Sequence, residues 1–119
     1  METKKYLFIE KSFNNNSCII KLNGFLDAHT SKKLEEKLEE TLKEKCYNIL
    51  LDLEYLTYIS SAGLGVFILH IEEIRKNKGD IILVNIPSNI FSNIIKPLGF
   101  DSVFKIVKTQ QEALTIFNI

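Results

Sequence analysis

Two adjacent hydroxyls, Ser60 and Ser61, stand just before a run with helical spacing, Leu64, Phe67, Ile68, Ile71 and Ile74. Upstream lies an apolar, strand-like run, Ile49-Leu50-Leu51-Asp52-Leu53, followed by a stretch to Tyr58 that reads as a short polar turn. A strand thus delivers a serine to a helix N-terminus, where a hydroxyl has two chemical uses. It can accept hydrogen bonds from the first free backbone N–H groups, a cap worth about 1 kcal/mol. It can also carry a phosphate, because the helix end presents roughly half a positive charge and unpaired donors. Ala62 and Gly63 are small and leave Ser61 open to a large partner. On residue chemistry alone, capping is the commoner role for such a serine.

Other chemistries fit less well. A hydrolase nucleophile elbow needs Gly-x-Ser-x-Gly with an acid and then a histidine following the serine. The order here is Ile59-Ser60-Ser61-Ala62-Gly63, without the first glycine, and only His70 follows. Two and a half turns of helix separate Ser61 from His70, roughly 13 Å at ~1.5 Å per residue, far beyond a nucleophile–base hydrogen bond. His29 does not satisfy that chain order. Neither histidine has HxH or HxxxH spacing, so no metal is expected and both read as surface or helix-edge residues. Gly63-Leu64-Gly65 lacks the further glycine and lysine of a phosphate-binding loop, and no cofactor is expected. Cys18 and Cys46 are too far apart for a CxxC motif and read as small core residues rather than reactive thiols.

The elements that must position the serines can be read along the chain. Tyr6–Glu10 and Cys18–Leu22 read as strands of a hairpin around Asn14-Asn15-Asn16, and Asn23-Gly24 interrupts the second strand before Phe25. Asp27 or Thr30 can cap a helix to about Lys45 with a Leu34, Leu38, Leu42 stripe. Tyr47–Leu53 is nearly continuously apolar, as expected of a strand covered on both faces. The serine helix should end near Lys76–Gly79 with Gly79 as its left-handed cap. Asp80–Val84 reads as a strand, Pro87 or Ser88 opens a helix through Ile95, and Val103–Val107 is extended. Thr109-Gln110-Gln111-Glu112 is a capping-box pattern for a last helix to about Phe117. Strand–helix alternation predicts a single α/β domain over residues 1–119, with its core at about 5–117. Its sheet should be mixed and mostly parallel, of four to five strands with an N-terminal hairpin and about four helices.

The 119 residues carry fifteen basic and fifteen acidic side chains, and Arg75 is the single arginine. A nucleic-acid binder would show a basic stripe with arginines, so no nucleic-acid partner is expected. The N-terminus lacks the apolar core of a signal peptide, and no segment has the roughly 20 apolar residues of a membrane span. A cytoplasmic protein with no membrane partner is expected. Between Tyr55 and Leu69 there is no charged side chain, although a quarter of the chain is charged. Part of that segment is core. Tyr55, Tyr58, Ala62 and Gly65 do not all fall on the buried stripe, so apolar surface suited to a protein partner should surround the serines.

Ile59-Ser60-Ser61-Ala62-Gly63-Leu64-Gly65 after an Asp-Leu strand resembles the STAS family, the anti-sigma factor antagonists of bacteria. Leu22-Asn23-Gly24-Phe25-Leu26-Asp27 and Pro97-Leu98-Gly99-Phe100-Asp101 extend the likeness. In many members Asp precedes the acceptor; here Ser60 does, which leaves two candidate hydroxyls. The resemblance implies a non-enzymatic switch. Unphosphorylated, the face formed by Asp27, Tyr58, Ser60, Ser61, Ala62, Gly63, Leu64 and Gly65 binds an anti-sigma factor with serine kinase activity and releases a sigma factor. Phosphorylation of Ser61, or else Ser60, turns it off, and an opposing phosphatase is implied. Asp27 would help position the acceptor or partner, with helix capping as an equal alternative. A monomer or weak dimer is expected. The alternatives are a constitutive scaffold or sensor-complex module with the same fold, and a small-ligand carrier or enzyme using the cleft at the serines.

Overall fold

The computed structural model describes residues 6–118, so the expected core start at residue 5 lies outside the described residues. Five strands form one sheet in the order β1-β2-β3-β4-β5: Leu7–Asn14, Ser17–Leu26, Asn48–Ile59, Asp80–Val84 and Lys105–Ile106. The β1–β2 pair is antiparallel and every other pair parallel, the mixed α/β sheet expected from the sequence. The hairpin turns at Asn15, whose φ of 56° is left-handed, as the asparagine cluster predicts.

Among the described residues three helices fill the crossovers and a fourth follows β5. They are α1 (Ser31–Lys43), α2 (Ser61–Lys76), α3 (Ser88–Ile90, continued as a π-helical turn over Phe91–Ile95) and α4 (Gln110–Phe117). Sheet residues divide by alternation. Ile49, Leu51 and Leu53 of β3 join the core under α1, α2 and α3 with Leu34, Leu38, Phe67 and Ile74. Leu50 faces the opposite side, where Ile19, Ile82 and Val84 meet Ala113 of α4. The apolar run of β3 is thus covered on both faces, as such a sequence requires. Phe67 and Phe104 pack edge to face at 5.9 Å in the larger core, a favoured aromatic geometry. Thr109 caps α4 by accepting from the Glu112 N–H at 3.2 Å, the serine/threonine half of the predicted capping box.

Buried Asp52 ties the sheet to α4. Its carboxylate accepts from Asn85 Nδ2 at 3.1 Å, Gln110 Nε2 at 2.7 Å and the Glu54 N–H at 3.0 Å. It also marks where β4 leaves β3, since their pairing ends at Asp52 and Val84.

Several boundaries differ from expectation. The expected turn after Leu53 is absent, and β3 continues to Ile59, paired there with β2 alone. Nor does Asn23-Gly24 interrupt β2, which runs through it to Leu26. Gly24 is required within the strand: its φ is +112°, and a Cβ would lie 2.2 Å from the Tyr6 carbonyl oxygen. Ile68 is exposed rather than part of the buried stripe of α2. The expected Val103–Val107 strand shrinks to Lys105–Ile106, preceded by a 3-10 turn over Phe100–Ser102. Cys18 and Cys46 are both buried and free, in agreement with a core role. Burial pushes the Cys18 thiol up to about 11, which keeps it protonated and unreactive at neutral pH.

Candidate functional site

The site forms where β2 and β3 end side by side. Leu26 and Ile59 pair in the last register position, and the Ser60 N–H donates to the Leu26 carbonyl at 2.9 Å. Both strands run parallel, so α1 and α2 begin at the same edge of the sheet, where parallel α/β folds place their binding surfaces. Asp27 follows Leu26 as Ser60 follows Ile59, which brings the two sequence-distant candidates to one edge.

The two serines divide the roles that the sequence leaves open. Ser60 is the N-cap: its backbone is extended, and its hydroxyl accepts from the Gly63 N–H at 3.1 Å. Ser61 is the first helical residue and exposed, and among the described residues its hydroxyl has no hydrogen-bond partner. Ser60→Ala should therefore lower stability by about 1 kcal/mol, while Ser61→Ala should change it by less than about 0.5 kcal/mol. Urea denaturation of both variants measures the difference. Equal losses would mean that the cap is shared.

Asp27 does not cap α1. Its Oδ1 accepts from the His29 N–H at 2.9 Å and the Thr30 N–H at 3.1 Å, which folds the loop ahead of the helix. The Thr30 N–H, with smaller help from the His29 N–H and the Thr30 hydroxyl, holds the Asp27 carboxyl below its ordinary pKa. Thr30 does not cap either: its hydroxyl oxygen accepts from the Asp27 N–H at 2.9 Å while its proton goes to the Phe25 carbonyl at 2.7 Å, so it faces back into the loop. A β-strand end and a polar loop therefore fix Asp27 as an anionic residue beside the serine edge.

Gly63 and Leu64, expected among the contact residues, are buried and act from beneath. A Cβ on Gly63 would lie 2.6 Å from Leu26 Cγ and 2.9 Å from the Leu26 carbonyl oxygen, so a glycine lets α2 sit directly on the end of β2. Ala62 and Gly65 are exposed, and a Cβ on Gly65 would meet nothing within 4 Å. Tyr58 is 43% exposed and its ring lies 6.0 Å from that of Phe25. Sequence reasoning missed Ile68 and Leu69, which are 41% and 64% exposed. Positions 61, 65 and 69 stack one turn apart on a helix, with 68 beside them. The exposed stripe Ser61, Gly65, Ile68, Leu69 therefore carries no charge and starts at a free hydroxyl. That four-residue spacing was the signal available in the sequence.

His29 is exposed on the α1 loop, while His70 turns toward Glu35 and Glu39 of α1. Neither hydrogen-bonds the Ser61 hydroxyl. Among the described residues no helix is long and apolar enough to cross a membrane.

Fold and site together define a small α/β domain that presents a serine at the exposed N-terminus of a sheet-packed helix. Residues 8–113 match the STAS domain, and the chain belongs to the STAS domain family. It is 26% identical over 114 residues to an anti-sigma F factor antagonist of Paenibacillus polymyxa, covering 95% of this chain and 97% of that one. An anti-sigma factor antagonist from Mycobacterium paratuberculosis superposes with a TM-score of 0.86 at 19% identity, with 96% of each chain covered. The anti-sigma factor antagonist SpoIIAA in its unphosphorylated form gives a TM-score of 0.73 at 22% identity, covering 95% of this chain and 98% of that one. The Bacillus cell fate determinant SpoIIAA in its phosphorylated form gives 0.68 at 22% identity, covering 94% and 99%.

Proposed function

We propose that this chain is an anti-sigma factor antagonist, a binding protein rather than an enzyme, controlled by phosphorylation of Ser61. The observation that carries the proposal is the division of labour between the serines. Ser60 closes the helix end, which leaves the Ser61 hydroxyl unbonded at the head of an exposed, charge-free stripe. Membership of the STAS family and a relative named as an anti-sigma F factor antagonist support the same reading.

In the unphosphorylated state the stripe docks on an anti-sigma factor and frees its sigma factor. A kinase activity of that partner transfers the terminal phosphoryl group of ATP: Ser61 Oγ bonds to the γ-phosphorus, the bond to ADP breaks, and the hydroxyl proton passes to a base on the kinase. The product carries about −1.5 to −2 charges. Within the monomer the phosphate is tolerated, because the first N–H groups of α2 have no acceptor inside the helix and the helix dipole favours an anion there. At the partner interface the same charge would be buried without a cation. The change is local electrostatics, with the fold retained.

Phosphoserine at Ser60 would instead displace the cap on Gly63. Fragment mass spectrometry of the protein recovered from its own cells under two growth conditions separates the two sites. Phosphate on Ser61, with an occupancy that changes between conditions, is the expected result. Modification confined to Ser60 would overturn the assignment, and unmodified serines in every condition would favour the constitutive scaffold.

A further inference from the structure

The geometry points to a divalent metal site between α1 and α2, held by Glu35, Glu39 and His70, for an ion of the zinc or cobalt type. The three side chains offer ligand atoms that all lie within 4.8 Å of one another. Glu35 and Glu39 are one turn apart on α1 and point the same way, while His70 comes from the neighbouring α2. No spacing within one element reveals the group, because the packing of two helices creates it.

A pair of carboxylates would not by itself make a site. The second observation is the imidazole. It is the most buried member of the three, and its Nε2 is buried with no hydrogen-bond partner among the described residues. A buried nitrogen left unsatisfied calls for a partner of some kind, since losing water without replacement is costly. A cation accepting its lone pair would supply one. A third observation is the charge around it: Glu39, His70 and Glu73 line a cavity of about 250 Å³ together with Lys43. Glu39 and Glu73 thus share a cavity with one ammonium, and none of Glu35, Glu39, Glu73 and Lys43 belongs to a salt bridge among the described residues.

Imidazole with carboxylate suits zinc, cobalt and manganese better than calcium or magnesium, which prefer oxygen alone. Zinc–ligand bonds of about 2.0–2.2 Å put ligand atoms about 3–3.5 Å apart. Rotation of the half-buried Glu35 and exposed Glu39 side chains about the fixed imidazole closes the remaining gap. Glu73, close to His70 on the next turn of α2, or water takes the fourth position. Such an ion would clip α1 to α2, the helix whose first residue is Ser61.

Chelator-treated full-length protein titrated with Co²⁺, followed by visible absorption and calorimetry, tests the site, with Zn²⁺ as competitor. One ion per chain is expected, with the spectrum of nitrogen and oxygen ligation. His70→Gln and Glu39→Gln should each weaken binding more than the roughly 10-fold that loss of even an outer-shell partner costs. Glu39 is exposed, so its variant keeps the fold if His70→Gln does not. A thiolate-to-cobalt charge-transfer band would place the ion on Cys18 or Cys46 and overturn the proposal. So would unchanged affinity in Glu39→Gln, or no saturable binding up to about 1 mM, a free energy of only about −4 kcal/mol.

Discussion

Ser61→Asp should weaken the complex with the anti-sigma factor by about a hundred-fold or more, while Ser61→Ala should bind as the wild type does. The stripe to be docked is neutral: Ala62, Gly65, Ile68 and Leu69 are exposed around the serine and contribute no charge. A carboxylate brought into that contact loses its water without gaining a cation, at an effective cost of several kcal/mol. Each 1.4 kcal/mol is ~10-fold in affinity, so about 3 kcal/mol accounts for the predicted loss. Alanine removes a hydroxyl that has no hydrogen-bond partner among the described residues, and leaves the apolar stripe intact. The monomer should respond in the opposite direction, since an anion in the first turn of a helix gains about 0.3–1 kcal/mol. Calorimetric titration against the anti-sigma factor recovered with the wild-type protein, paired with urea denaturation, reads both effects. Lost binding in a variant as stable as the wild type is the signature of a surface switch. If aspartate and alanine both bind within two-fold of the wild type, the face serves a constitutive scaffold.

Much of this site was legible because local chemistry and tertiary context agree there. The apolar run at Ile49–Leu53, the paired serines and the spacing of Leu64, Phe67, Ile71 and Ile74 each specify the element observed. The misread stretch is the second half of β3. A strand with one covered face ordinarily alternates with period two, yet here Leu53, Leu56 and Ile59 are buried at intervals of three. Register shifts between Lys21 and Asn23 and between Gly24 and Phe25 are the cause. Each lets β3 advance one residue more than β2, and the extra residues rotate the pattern out of phase. Glu54, Tyr55, Thr57 and Tyr58 consequently read as a turn. Of the two roles the sequence leaves open for Asp27, capping of α1 falls away, because its carboxylate closes the loop onto the His29 and Thr30 N–H groups before the helix begins. The approach of His70 to Glu35 and Glu39 depends on how α1 and α2 pack, and no pattern within either helix encodes it.

The end of α2 gives the second large effect, and there the physical reason for a glycine differs from the one its position suggests. Gly79→Ala should destabilise the protein by about 3 kcal/mol, the upper end of the usual cost of overpacking. Lys78→Gly, one residue earlier, should instead stabilise it by about 0.5 kcal/mol, the balance of two opposed backbone effects. The glycine after Lys78 looks like the left-handed residue that closes a helix, but Lys78 takes that conformation, with φ 64°. An L-residue there costs roughly 1–2 kcal/mol, and glycine would recover that less about 0.4–1 kcal/mol for its freer unfolded chain. Gly79 is needed for space. A Cβ would lie 1.9 Å from the Tyr47 carbonyl oxygen and 2.5 Å from its carbonyl carbon. That oxygen already accepts the Asp80 N–H at 3.0 Å, and Asn48 and Asp80 open the β3–β4 pairing. The methyl group must therefore push apart the start of the two central strands, with backbone on both sides of the clash. At ~4 °C per kcal/mol for a domain of this size, thermal melts should separate the two variants by more than 10 °C, with opposite signs relative to wild type. A Gly79→Ala protein within about 1 kcal/mol of wild type would show that the Tyr47 peptide moves aside freely. In that case the contact would hold neither the end of α2 nor the strand that carries its serine.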